Sequence, residues 1–312
     1  MELIRGIHNL RPRHHNCILT IGNFDGVHRG HQVLLGRLKQ QGKILGLPVM
    51  VMSFEPQTLE VFGVNQVPAR LTQLRDKYHY LASEGVDYLL CVRFNLNFAA
   101  YSAEYFLKYL LVEKISVKYL IIGDDFRFGA GRQGDYQLLQ QAGSKFGFTV
   151  NNSESFCEDN KRISSTSIRQ ALREDRLDLA ESMLGHPYSI SGRIIHGDKI
   201  GRTIGFPTAN LPLRCIIAPV HGVYVVDVYG LASGPLPGVA NIGTRPTFAG
   251  IRQQLEVHLL DTTMNLYGRH VHVVLRAKLR NERYFASLDE LKQQIFHDLL
   301  MTREFFRLDI PI

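Results

Sequence analysis

Gly22-Asn23-Phe24-Asp25-Gly26-Val27-His28-Arg29-Gly30-His31 is the stretch from which the fold can be read. Just before it, Cys17-Ile18-Leu19-Thr20-Ile21 is a short β-prone run; after it, Val33, Leu34, Leu38 and Ile44-Leu45 recur at helical spacing. A strand that passes into a helix through a glycine-rich loop gathers unpaired backbone N–H groups at the positive end of the helix dipole. That geometry favours phosphate. His28 and His31 stand three apart, so in a first helical turn both imidazoles lie on one face and can donate to one phosphate. Gly30 leaves room for a ligand to approach the backbone. By spacing alone, a surface histidine pair or a metal site remains an alternative.

Working outward, Pro48–Phe54, Tyr88–Val92, Tyr119–Gly123 and Phe148–Val150 are apolar runs of strand length. They alternate with helical patterns over Leu71–Glu84 and Ala103–Ile115. This predicts a parallel sheet with helices on both faces. Such sheets bind ligands beyond the carboxyl ends of their strands, where the loops Gly22–Gly26 and Gly123–Gly129 fall. After a helix predicted over Ser165–Leu184 the pattern changes. Short alternating runs at Ile190–Ile195, Val223–Tyr229, Gln254–Leu260 and Val271–Leu279, punctuated by Gly and Pro, predict an antiparallel barrel or sandwich, closed by an amphipathic helix over Leu288–Leu300. Two domains are therefore expected, 1–185 and 186–312.

Composition agrees with a globular protein: 312 residues, 45% hydrophobic and 21% charged. The net charge of +7 is spread evenly, with 22 Lys/Arg against 19 Asp/Glu before residue 186 and 14 against 10 after it. A mild excess without basic runs suits small anionic ligands and argues against a nucleic-acid arm. Cys17, Cys91, Cys157 and Cys215 have neither CxxC nor zinc spacing, so reduced thiols in a cytoplasmic protein are expected. The N-terminus has no apolar h-region, and no apolar run approaches membrane-spanning length, so neither a secretory signal nor a membrane partner is expected.

Two further segments carry chemistry. Ile163-Ser164-Ser165-Thr166-Ser167-Ile168-Arg169 precedes a helical pattern, and its hydroxyls can serve as a cap. Arg169 in the first turn could instead fork onto phosphate oxygens. Gly201-Arg202-Thr203-Ile204-Gly205-Phe206-Pro207-Thr208-Ala209-Asn210 joins a glycine-containing loop to an extended piece in which Thr208 and Asn210 project from one face. Their oxygens are hard neutral ligands suited to Mg²⁺ that also takes phosphate oxygens, although a plain turn has the same composition. No P-loop motif GxxxxGK[ST] occurs. Glu256 alternates with apolar neighbours in a strand and could simply face solvent.

The pairing of HxGH with a distal SSTxxR resembles the bacterial bifunctional riboflavin kinases/FMN adenylyltransferases, the FAD synthetases. The resemblance covers essentially the whole chain in matching order. It extends to Phe54-Glu55-Pro56, Gly123-Asp124-Asp125-Phe126-Arg127-Phe128-Gly129, Arg132-Gln133-Gly134-Asp135, Pro207-Thr208-Ala209-Asn210, Gly222-Val223-Tyr224, Gly238–Gly243, Arg245-Pro246-Thr247 and Glu256–Asp261. It implies a Rossmann-like nucleotidyltransferase domain followed by a riboflavin-kinase barrel, with riboflavin, FMN, ATP and Mg²⁺ as ligands and FAD as product. In the first domain it implies that Gly22, Asn23, Phe24, Asp25, Ser164, Ser165, Thr166 and Arg169 hold ATP, with His28 and His31 acting on the phosphates. There it makes Phe62, Phe126 and Phe128 candidates for a flavin platform, or else core aromatics, and Asp125 a polar flavin contact. In the second it implies ATP at Gly201, Arg202 and Gly205, metal at Thr208 and Asn210, Glu256 as base, and Arg280 near flavin and phosphate. Where the family usually has His-Pro after Phe-Glu-Pro, Gln57-Thr58 stands here, which predicts a looser loop. Two other readings compete: a nucleotidyltransferase for another phosphorylated acceptor, and a flavin or nucleotide sensor without turnover.

Overall fold

The computed structural model describes residues 1–63, 67–123, 125–153, 157–158, 161–197, 200–213, 218–247, 250–262 and 264–309. The chain forms two compact units, Met1–Pro68 with Thr72–Ser165, and Ala69–Leu71 with Thr166–Ile312.

The first unit is a six-stranded parallel sheet. Its strands are β1 (Glu2–Arg5), β2 (Ile18–Ile21), β3 (Val49–Glu55), β4 (Tyr88–Arg93), β5 (Tyr119–Gly123) and β6 (Thr149–Ser153), in the order β1-β4-β3-β2-β5-β6. Side-chain alternation divides the core between the two faces. Ile18, Val49, Val51, Tyr119 and Ile121 pack with Leu35 and Leu38 of helix α1 (Arg29–Leu45). Their neighbours Leu19, Met50, Met52, Leu120 and Ile122 pack on the other face with Phe106, Leu110 and Leu139. Strands buried on both faces explain the nearly continuous apolar runs. From β2 the chain proceeds one way through β3 and β4 and the other way through β5 and β6. The β2/β5 boundary is thus the topological switch point, and its carboxyl end lies at Gly22 and Gly123.

One strand was not anticipated, and two expected helices need adjustment. β1, an edge strand pairing with β4, has no distinct sequence signal in its four residues. The segment Phe106–Lys114 is wound as a π-helix. The helix expected over 165–184 is two, α2 (Ser165–Arg173) and α3 (Leu177–Leu184), interrupted near Asp175, whose φ is 60°.

The second unit is an antiparallel barrel. Its strands, numbered after the two-stranded hairpin β7 (Cys157–Glu158) and β8 (Lys161–Arg162), are β9 (Ser189–Arg193), β10 (Ala209–Pro212), β11 (Gly222–Tyr229), β12 (Leu236–Thr247), β13 (Gly250–Leu259) and β14 (His270–Arg280). The order is β10-β13-β12-β11-β14-β9, and a bridge between Ile195 and Asn210 brings the ends together. Tyr224, Val226, Ala240, Ile242, Leu255, Val257, Val273 and Leu275 fill the interior. Ile168, Ala171, Leu172, Ala180 and Leu184 join the same cluster. By packing, therefore, α2 and α3 belong with the barrel, in the compact unit that resumes at Thr166. Helix α4 (Leu288–Phe306) is capped by Ser287, whose Oγ accepts from Glu290 N at 3.2 Å.

Candidate active sites

In the sheet unit, a cavity of about 440 Å³ opens at the switch point. Its floor is the loop leaving β2. The backbone there is tightly bent, with positive φ at Phe24 (48°), Gly26 (86°) and Val27 (41°). Phe24 is 2% exposed and anchors the bend. Asp25 holds it from behind: its Oδ1 accepts from Thr72 N at 3.0 Å and Thr72 Oγ1 at 3.2 Å, while Gly26 N donates to Thr72 Oγ1 at 2.9 Å. Asp25 is a buried brace and does not line the cavity.

His28 is the N-cap of α1 and His31 lies in its first turn; the rings stack with centroids 3.7 Å apart. No acidic residue occupies that turn, so the positive helix end is not neutralised from within. A Cβ at Gly30 would sit 3.2 Å from His28 Nδ1 and 3.5 Å from Ile163 O. The glycine thus makes room for the His28 ring rather than, as the sequence suggests, for the ligand. Burial, reinforced by His28 and Lys77, holds the His31 imidazole well below the ordinary histidine range. His31 is therefore neutral and can donate through one ring N–H. Its Nδ1 and the Oδ1 of Asn23 are buried polar atoms with no hydrogen-bond partner among the described residues.

Gly22, Asn23, Phe24, Asp125, Phe126, Ser164 and Ser165 also line this cavity. Ser165 Oγ donates to Asp25 O at 2.9 Å. Phe128 does not line it; the ring is buried against Phe106, with centroids 5.1 Å apart. Phe62 is 54% exposed, packs edge-on to Phe94 and stands outside the lining. Thr166 and Arg169 fall in the second unit, where the Arg169 Nε donates to Ala69 O. Gln57 and Thr58 do not loosen the chain. Gln57 caps a short helix, Thr58–Val61, and its N–H donates to Glu60 Oε2 at 3.0 Å. Asp124 lies outside the described residues.

In the barrel unit, a cavity of about 290 Å³ lies on the outer face of the strands beneath α4. Strand register builds it. Asn210 pairs with Glu256, Glu256 with Asn241, Asn241 with Val223, and Val223 with Arg280. These five residues from five strands form one row, and all of them line the cavity. Leu291, Ile295, Asp298 and Leu299 cover it from α4 at helical spacing. Asp298, 4% exposed, takes a forked ion pair from Arg280, Nη2 to Oδ2 at 2.8 Å and Nε to Oδ1 at 3.0 Å. Arg280 is thus a fixed wall of the site.

Thr208 and Asn210 both line this cavity. Asn210 Oδ1 accepts from Gln254 Nε2, which leaves a second lone pair. A Cβ at Gly197 would collide with the Asn210 amide, and one at Gly201 would collide with Phe206 O and lie 3.4 Å from Thr208 Oγ1. Both glycines keep open a cradle in which two neutral oxygens and the Glu256 carboxylate share one wall, a donor set that fits Mg²⁺ held jointly with phosphates. Gly205 has φ 95°, a turn that only glycine adopts without strain. It is not part of the lining. The side chains of Arg202 and of Arg245-Pro246-Thr247 lie outside the described residues, as does Cys215.

The family model described as FAD synthetase matches residues 10–167, and that described as riboflavin kinase matches residues 184–306. The chain is 64% identical over 312 residues to the bifunctional riboflavin kinase/FMN adenylyltransferase of Escherichia coli (strain K12), with 100% of each covered. This chain belongs to the bifunctional riboflavin kinase/FMN adenylyltransferase family. A member from Haemophilus influenzae is 51% identical over 98% of this chain and 99% of its own. A crystal structure described as a macrolide-efflux protein from Streptococcus pneumoniae superposes with a TM-score of 0.79 at 29% identity, covering 97% of this chain and 99% of that one.

In this bifunctional family member, sequence reasoning missed several wall residues. Arg127, Arg132 and Arg162 line the sheet cavity, with Arg162 Nη2 3.4 Å from Asp125 Oδ2. Asn241 and Glu282 line the barrel cavity and are joined at 3.1 Å. Arg127 and Arg132 stand inside family motifs that give them no role, and Arg162 lies one residue before the Ile163–Arg169 segment. Asn241 needed the strand register, because 14 residues of chain lie between it and Glu256.

Proposed function

We propose that the barrel site phosphorylates riboflavin to FMN and that the sheet site adenylylates FMN to FAD with release of pyrophosphate, both from Mg-ATP. The observation that carries this reading is that each compact unit has its own cavity with its own polar set. Paired imidazoles at an open helix start form one, and the row Asn210–Glu256–Asn241 forms the other.

In the barrel, Glu256 accepts the proton of the ribityl 5′-hydroxyl as that oxygen bonds to the γ-phosphorus and the bond to the ADP oxygen breaks. Thr208 and Asn210 are the side chains that would hold Mg²⁺, which when bound draws charge from the phosphate oxygens. The Arg280–Asp298 pair fixes the wall on which the flavin rests. In the sheet site, an FMN phosphate oxygen attacks the α-phosphorus of ATP and the bond to pyrophosphate breaks. A phosphate dianion needs no base, so the residues act by position and charge. The first N–H groups of α1, the His28 and His31 rings, and Ser164 and Ser165 hold the triphosphate. Phe126 and Asp125 border the flavin. Thr166 and Arg169 are carried as phosphate contacts on the resemblance alone.

No described helix is long and apolar enough to cross a membrane. A cytoplasmic location, with riboflavin, FMN and ATP as partners, belongs to the same proposal. Chromatography after mixing the protein with riboflavin, ATP and Mg²⁺ tests it. FMN should appear first and FAD second, with ADP and pyrophosphate as co-products. Riboflavin recovered unchanged would contradict the reading.

A further inference from the structure

Asn241 projects from β12 into the barrel cavity, directly across the strand pair from Glu256. Residues so paired hold their Cβ atoms about 5 Å apart, within reach of two adjoining oxygens of one ligand. The amide orientation is fixed chemically. Glu282 Oε1 is 3.1 Å from Asn241 Nδ2, and a carboxylate accepts hydrogen bonds only, so the NH₂ must face Glu282. The Oδ1 is then the free end. It is buried and has no hydrogen-bond partner among the described residues. Gly243 supports this arrangement, because a Cβ there would collide with the Glu282 carboxylate.

A buried acceptor without a donor is costly, so such an atom calls for a donor from the ligand. The donor cannot be the hydroxyl that is phosphorylated, because that hydroxyl has one proton and gives it to Glu256. The next hydroxyl along the polyol chain has its own proton and lies one carbon away. We propose that Asn241, oriented by Glu282, accepts a hydrogen bond from the hydroxyl next to the one phosphorylated and so selects acceptors bearing a vicinal diol. This rests on the kinase reading of the barrel.

The test compares two acceptors, riboflavin and a flavin whose N10 side chain is 5-hydroxypentyl, with only the terminal hydroxyl. Wild type should favour riboflavin in kcat/KM. Asn241→Ala should lower kcat/KM for riboflavin about 10- to 100-fold and leave the hydroxypentyl flavin within about threefold, collapsing the preference. Glu282→Gln allows the 241 amide to flip, so it should lower the preference partly, through riboflavin alone. FMN adenylylation by the same samples reports that the chain is folded. Equal losses for both acceptors, or an undiminished preference in Asn241→Ala, would overturn the inference. Failure of wild type to phosphorylate riboflavin would instead overturn the kinase reading.

Discussion

The two cavities are made by opposite means. The floor of the sheet cavity is built from one continuous piece of chain, in which a bent loop, a helix start and two stacked imidazoles come from ten consecutive residues, and other segments add the walls. The barrel site is built across the chain, from Asn210, Val223, Asn241, Glu256 and Arg280 on five strands brought into line by register. Backbone groups and local bends dominate the first, while side chains on a rigid surface dominate the second. Each is therefore vulnerable in its own way. The first should fail when the local fit of the loop is disturbed, and the second when one member of the row changes its chemistry.

The largest effect is expected from Glu256→Gln, which keeps shape and removes the proton acceptor. FMN formation should fall by about 10²- to 10⁴-fold, the usual contribution of a general base, while adenylylation of supplied FMN continues. Retained kinase activity, read as ADP release with riboflavin, would show that the row does not work through Glu256. A smaller effect is expected from Gly30→Ala. The added methyl meets the His28 ring at 3.2 Å, and a displaced ring should lower FAD formation about tenfold without touching FMN formation. An unchanged rate would mean that the stacked pair tolerates displacement, and the contrast between a fitted loop and a chemical row would weaken.

Legibility in the sequence follows the same division. His28, His31, Ser164 and Ser165 lie in the cavity that their motifs suggest, because local patterns encode loops and helix starts. The parallel sheet was legible for the same reason, since strands buried on both faces write themselves as apolar runs. Roles set by tertiary packing were not. Asp25 and Phe128 sit in motifs that the family resemblance ties to ligand, yet one braces Thr72 and the other packs against Phe106. Asn241 was hidden because register, which places it opposite Glu256, depends on the whole sheet. The packing of α2 with the barrel was hidden too. The apolar face of α2 has the same period whichever core receives it, and only packing shows Ile168 and Leu172 joining the barrel cluster.

The smallest effect concerns protonation. The His31 pKa lies below the ordinary 6.5, chiefly through burial, so folding favours the neutral ring. Its contribution to stability is full above that value and is lost as pH falls below it, because the unfolded chain then binds the proton more readily. In the ligand-free protein, the His31 ring resonances should stay fixed from pH ~7.5 to ~6. A titration centred near the ordinary value would show an open, hydrated ring rather than one fitted into the loop.

The most direct test of two separate chemistries is the product profile of His28→Ala and Asn210→Ala, each given riboflavin, ATP and Mg²⁺. His28→Ala should accumulate FMN and make almost no FAD. Asn210→Ala should leave riboflavin unphosphorylated yet convert added FMN to FAD. Loss of both activities in either folded variant would contradict the division of labour.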